Sequence, residues 1–135
     1  MWKTLKLGEI CTIVGGDSIP VKTKKELYTN VQGLPYIATK DVSLKGEINY
    51  SNGVAIPHKS LSKFKVSRKG SALICAEGGS AGRKIAFSER DCCYGNKLFS
   101  ISPISISKLL PKFIFYYLKG NEFQKQFKTS HHGLI

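Results

Sequence analysis

Acidic residues are scarce in this chain. Nine Asp and Glu stand against 21 Lys and Arg among 135 residues, leaving a formal charge of +12. The nine are Glu9, Asp17, Glu26, Asp41, Glu47, Glu77, Glu89, Asp91 and Glu122, and no short spacing among them suits a nuclease that holds metal ions with clustered carboxylates. Long apolar runs are missing as well. The longest, Ala72 to Ala76 and Phe113 to Leu118, fall far short of the ~20 residues of a membrane span. Met1 to Gly16 carries Lys3, Lys6 and Glu9 with no apolar core or small-residue cleavage site, so no secretory leader is expected and the cytoplasm is the expected compartment. No C-x-x-C pair occurs. Of Cys11, Cys75, Cys92 and Cys93 the last two are adjacent, an awkward arrangement for one zinc, and Cys75 lies in an apolar run as a small hydrophobe would. Reduced thiols and no metal or cofactor are expected.

Catalytic signatures are absent too. The segment Gly78-Gly79-Ser80-Ala81-Gly82-Arg83-Lys84 has three residues between Gly78 and Gly82 where a phosphate-binding P-loop has four, and Ile85 follows where that loop has Ser or Thr. Its context is strand–loop–strand, whereas a P-loop opens a helix. No Asn-Pro-Pro-Tyr or Asp-Pro-Pro-Tyr methyltransferase sequence occurs, nor a dinucleotide glycine fingerprint. His58 sits in a basic run and adds charge there; His131 and His132 lie near the C-terminus. The expectation is a non-catalytic chain, because the paired groups of acid–base chemistry are missing.

What is present is short-period apolar patterning followed by helical patterning. Leu7, Ile10 and Ile13/Val14 recur at near-helical spacing before Gly15-Gly16. Asp17 to Gly33 reads as a polar loop. Tyr36-Ile37 and Ile48 to Tyr50 read as strands, with turns at Lys45-Gly46 and Asn52-Gly53. A short helix is predicted over about His58 to Phe64, a turn at Ser67 to Gly70, strands at Ser71 to Ala76, Lys84 to Phe87 and Leu98 to Ile101, and a polar connection over Glu89 to Cys93. Leu110, Phe113, Ile114, Tyr117 and Leu118 then mark one face of an amphipathic helix with Pro111 in its first turn and Gly120 as its stop. Asn121 can cap a second helix carrying Phe123 and Phe127. Many short strands followed by helices predict an α+β domain spanning 1–135.

The charge points to a polyanion. Lys22-Thr23-Lys24-Lys25 and the run His58 to Lys69, with Lys59, Lys63, Lys65, Arg68 and Lys69, combine cations with hydroxyls as phosphate contacts do. In the Gly-rich segment Gly79 and Ser80 allow close backbone approach while Arg83 and Lys84 supply charge. Candidates for reading bases are the polar loop Asp17 to Gln32, the segment Thr39-Lys40-Asp41, the basic run Lys59 to Lys69 and Asn96-Lys97, with Arg68 and Lys40 suited to guanine and Asn96 either to adenine or to forming a turn. A sequence-independent nucleic-acid binder is the alternative. It is disfavoured because Phe113, Tyr117, Phe123 and Phe127 fall at helical core spacing, not on a stacking platform.

In order, Trp2…Leu7-Gly8-Glu9-Ile10, Ile13-Val14-Gly15-Gly16, Leu34-Pro35-Tyr36-Ile37…Lys40-Asp41-Val42, Gly70-Ser71-Ala72-Leu73-Ile74, Gly79-Ser80-Ala81-Gly82, Asn96-Lys97-Leu98, Phe113-Ile114-Phe115-Tyr116-Tyr117-Leu118 and Gly133-Leu134-Ile135 resemble the target recognition domain of the specificity (S) subunit of type I restriction–modification systems. Tyr36 departs from the pattern, which commonly has Trp after the Pro. So does the length: family members usually carry two such domains joined by long helices, and this chain is expected to be a half or truncated S subunit. The resemblance implies a β-rich DNA methylase specificity domain with short helices and a C-terminal helical segment. It implies binding to a half-site in duplex DNA, and partner modification (methyltransferase) and restriction subunits that supply all the catalysis.

Overall fold

The structure, a computed structural model, describes residues 7–104 and 111–129. Trp2, Leu110, His131, His132 and the 133–135 tail lie outside the described residues. The elements are α1 (Leu7–Ile10), β1 (Cys11–Gly15), α2 (Val21–Leu27), β2 (Leu34–Ile37), β3 (Ala55–Ile56), β4 (Val66–Ser67), β5 (Ala72–Cys75), β6 (Ile85–Phe87), β7 (Cys92–Tyr94), β8 (Leu98–Pro103), α3 (Pro111–Lys119) and α4 (Asn121–Thr129), with 3₁₀ turns at Thr39–Asp41 and His58–Lys63.

Two four-stranded sheets form, ordered β1-β8-β5-β6 and β3-β2-β7-β4. The first is antiparallel throughout. In the second, β2 and β7 run parallel, with Tyr36 beside Cys93 and Ile37 beside Tyr94. Strand alternation sorts side chains into three apolar layers. Leu73, Cys75, Ala86 and Leu98 of the first sheet meet Ile37, Cys92 and Tyr94 of the second. On the outer face of the first sheet, Ala72, Ile74, Ile85 and Ile101 pack against Ile114, Leu118 and Phe123 of the C-terminal helices. On the outer face of the second, Tyr36, Ile56 and Cys93 pack with Ile19, Tyr28 and Leu61. β5 is buried on both faces, which is why its sequence reads as an unbroken apolar run.

Several sequence expectations change. The near-helical spacing over Leu7 to Val14 yields only one turn of helix; from Cys11 the chain is a strand, as β-branched Thr12-Ile13-Val14 favours. The loop expected at Asp17 to Gly33 contains α2, and the connection expected at Glu89 to Cys93 contains the buried β7. Ile48 makes a single bridge to Val42, not a strand. Ser67 ends β4, and the turn follows it. Along α3, Phe113 is 58% exposed, so the apolar stripe runs through Ile114, Tyr117 and Leu118 without it.

Adjacent Cys92 and Cys93 point to opposite faces of the second sheet, so they cannot share an ion. All four cysteines are buried free thiols. Burial pushes three of these thiols up: Cys11 to about 11, Cys93 to about 11, and Cys92, helped by the neighbouring Cys93 and Asp91, to about 12. An unfolded thiol ionises near ~8.5. The folded state therefore holds these protons more tightly, and its advantage is complete below that pH and lost as the pH rises toward the folded values. The melting temperature should be flat from about pH 6 to 8 and fall above about pH 9. Iodoacetamide at about pH 8 should label the thiols only after denaturation; rapid labelling of the native protein would contradict this packing.

Candidate nucleic-acid interface

Strand order brings many of the candidate residues to one rim. Because β2 and β7 are parallel and in register, Ala38-Thr39-Lys40 leaves the sheet beside Gly95-Asn96-Lys97. β5 ends at Cys75 opposite Leu98, so the Gly-rich loop starts beside Lys97, and Ala76 N–H donates to Lys97 O at 2.9 Å. Gly16 joins the sheets there. Its N–H donates to Leu98 O at 3.1 Å, and the next, Asp17 N–H, donates to Tyr94 O at 2.9 Å. Any Cβ at Gly16 would collide with the carbonyls of Tyr94 and Gly95, so this crossing requires glycine.

Asp17 organises one side of the rim. Its carboxylate accepts the Lys65 N–H at 2.7 Å, and its carbonyl accepts the Tyr36 hydroxyl at 2.6 Å. Burial, then the Asp17 charge, pushes the Tyr36 hydroxyl up to about 12, so it stays a donor. The Lys24 ammonium lies 5.4 Å over the Tyr36 ring. Thr39 and Lys40 are held by Asp41, which is buried: its Oδ2 accepts Ala38 N–H at 2.9 Å and the Asn52 amide at 2.7 Å, and that same amide donates to Tyr36 O at 2.7 Å. Asp41 is thereby spent on the fold and is not presented to bases. A cleft of about 210 Å³ results, lined by Ser18, Lys24, Tyr36, Thr39, Asn96 and Lys97 among others.

Lys40, Asn96, Lys97, Lys65, Gly79 and Arg83 are exposed on this rim, and Ser80 is half-buried. Lys84, expected to emerge beside the loop, is turned inward: it is half-buried and its Nζ donates to Thr39 O at 3.0 Å. Lys22 and Lys25 are exposed on α2, and Lys59 and Lys63 on the His58–Lys63 turn. Arg68 and Lys69 lie elsewhere. They follow β4 at the opposite end of β7, where Arg68 pairs with Asp91 at 3.3 Å and Lys69 N–H donates to the same carboxylate at 2.8 Å. Arg68 is 75% exposed, so the pair is screened and worth little to stability.

Sequence reasoning missed the Lys24–Tyr36 stack, the role of Asp17 and a second cleft. That cleft, about 430 Å³, is lined by Asn30, Gln32, Pro35, Tyr50, Arg90 and neighbours, with Arg90 5.2 Å over the Tyr50 ring. Between two acids in sequence, Arg90 gave no basic-run signal. Among the described residues no group of three His, Cys, Asp or Glu could hold a metal ion, and no helix is long and apolar enough to cross a membrane.

Three solved structures share the fold. One comes from a study of complex assembly and conformational transition of the type I restriction–modification system, at 24% identity and TM-score 0.70 over 97% of this chain and 30% of that one. The HsdS subunit from Thermoanaerobacter tengcongensis gives 24% identity and TM-score 0.69, over 93% of this chain and 28% of that one. The type I restriction–modification S subunit from M. genitalium gives 18% and 0.63, over 96% of this chain and 30% of that one. The chain thus spans under a third of the length of these structures. No curated protein matches it. The family model described as the type I restriction modification DNA specificity domain matches residues 1–134, and the chain belongs to that family.

Proposed function

We propose that residues 1–135 form one target recognition domain that selects a half-site in duplex DNA and performs no catalytic step. It acts in the cytoplasm within an assembly whose methyltransferase and restriction subunits do the chemistry. The observation that carries this reading is the convergence of Lys24, Thr39, Asn96 and Lys97 on one cleft, with Lys40 exposed beside them. Cations there neutralise phosphates, while Lys40, Asn96 and Lys97 have the donors to read base edges. Arg68, held by Asp91 at the far end of β7, becomes a peripheral charge in this reading.

Duplexes selected from a random pool, followed by competition titrations against scrambled DNA, test it. Lys97→Ala should lose about 1–3 kcal/mol on the selected duplex and less on the scrambled one. Arg68→Ala should change both little and equally. The reverse pattern, with Arg68→Ala selective and Lys97→Ala silent, would move the interface to the other end of β7. A pool that yields no preferred sequence would favour a sequence-independent binder.

A further inference from the structure

The C-terminal helices reach the rim from behind the first sheet. Gln124, half-buried in α4, uses its amide nitrogen twice: Nε2 donates to Leu118 O at 2.8 Å and to Gly82 O at 2.8 Å. Leu118 O is among the last carbonyls of α3, which find no partner within their own helix. Gly82 O belongs to the Gly-rich loop. Further along α4, the Phe127 ring covers Gly82 so closely that a Cβ would lie 2.6 Å from Phe127 Cδ1, and φ at Gly82 is +76°. On its other side the loop is tied to the rim. Lys84 Nζ donates to Thr39 O at 3.0 Å, and within the hairpin itself Gly82 N–H donates to Cys75 O at 2.7 Å and Arg83 N–H to Ser80 O at 3.0 Å. A Cβ on Gly78 or Gly79 would meet open space, so the tip of the loop is held from its Gly82 side.

We propose that Gln124 is a positioning residue for DNA binding. Its amide locks the loop of residues 78–83 to the α3–α4 corner and so fixes where Arg83 meets the duplex. This rests on the rim being the DNA interface. Gln124 touches no DNA itself; it sets the loop, and the loop makes the contact. A change in the angle between α3 and α4 therefore alters the reach of Arg83.

The test uses the whole chain and a duplex selected from a random pool. Gln124→Met keeps the length of the side chain and removes the donor; Gln124→Glu keeps the shape and replaces the donor with an acceptor. Either should speed hydrogen exchange of the Arg83 and Lys84 amides about tenfold and weaken duplex binding about fivefold. In an Arg83→Ala background, neither should weaken binding further, because the group that Gln124 positions is gone. Equal losses in both backgrounds would mean general destabilisation and overturn the proposal. So would unchanged affinity while Lys97→Ala still weakens binding, an outcome that leaves the rim reading intact. If Lys97→Ala, Lys40→Ala and the Gln124 variants all bind like the wild type, the rim reading falls and the proposal falls with it. Should Gln124→Met fold poorly, Gln124→Glu carries the same double-mutant cycle.

Discussion

Raising salt from about 50 to about 200 mM should weaken duplex binding by roughly 500-fold. Each phosphate neutralised by a cation releases condensed counterions and contributes about −0.9 to the log–log slope. The rim offers Lys24, Lys40, Lys65, Arg83 and Lys97 for this role, all exposed or half-exposed. Lys84 is excluded because its ammonium is bonded to Thr39 O inside the rim, and Arg68 because it faces Asp91 at the other end of β7. Five contacts give a slope of about −4.5. Fluorescence anisotropy with a labelled duplex at four or five salt concentrations measures it. A flat response would remove the electrostatic basis of the interface. A slope steeper than about −7 would mean that Lys22, Lys25, Lys59 and Lys63 also reach phosphates, and the footprint would extend over α2 and the His58–Lys63 turn.

Asp41→Ala should cost about 2–6 kcal/mol and weaken DNA binding as well. The substitution removes the acceptor of Ala38 N–H and of the Asn52 amide. Each donor left without a partner costs about 1–3 kcal/mol. In a domain of this size the melting temperature should fall by roughly 10–20 °C. The 3₁₀ turn that places Thr39 and Lys40 loses its anchor, so affinity should drop even at temperatures where the variant remains folded. Asp41→Asn keeps one oxygen, and because Oδ2 alone accepts both bonds it should recover most of the loss. Calorimetry and duplex titration on the same preparations check both effects. An Asp41→Ala protein with unaltered melting and binding would show that the Ala38–Asp41–Asn52 bonds do not hold the rim.

The sequence made the paired apolar strands and the C-terminal helices legible because their patterns are long. Ala72 to Cys75 and Leu98 to Ile101 are β-rich runs bounded by turn residues, and Ile114, Tyr117 and Leu118 repeat at helical spacing. β7 was hidden. It is three residues long, follows Glu89-Arg90-Asp91, and its partner β2 is far away in sequence, so nothing local marks it. α2 was hidden for the opposite reason: it buries no residue, its N-cap is Pro20 with no side-chain bond, and Lys-rich Val21–Leu27 has no apolar stripe. At the rim, residue types alone flagged Lys24, Thr39, Lys40, Asn96 and Lys97, but not that they adjoin. That depends on the parallel pairing of β2 with β7. Residue types could equally not separate Arg68 from the rest, since its neighbour Asp91 lies 23 positions on.

The pairing of β1 with β8 has a kinetic consequence. Cys11 lies opposite Pro103 and Gly15 opposite Phe99, so β1, the first strand among the described residues, waits for β8, the last of them, before it has a partner. Contacts this distant in sequence must be closed against loop entropy and form slowly. During synthesis the β5–β6 hairpin can form early, whereas Gly16 cannot settle against Leu98 until β8 has been made. The cleft that carries Lys24, Thr39 and Lys97 therefore cannot be assembled before β8 has been made, however early the segments that line it leave the ribosome.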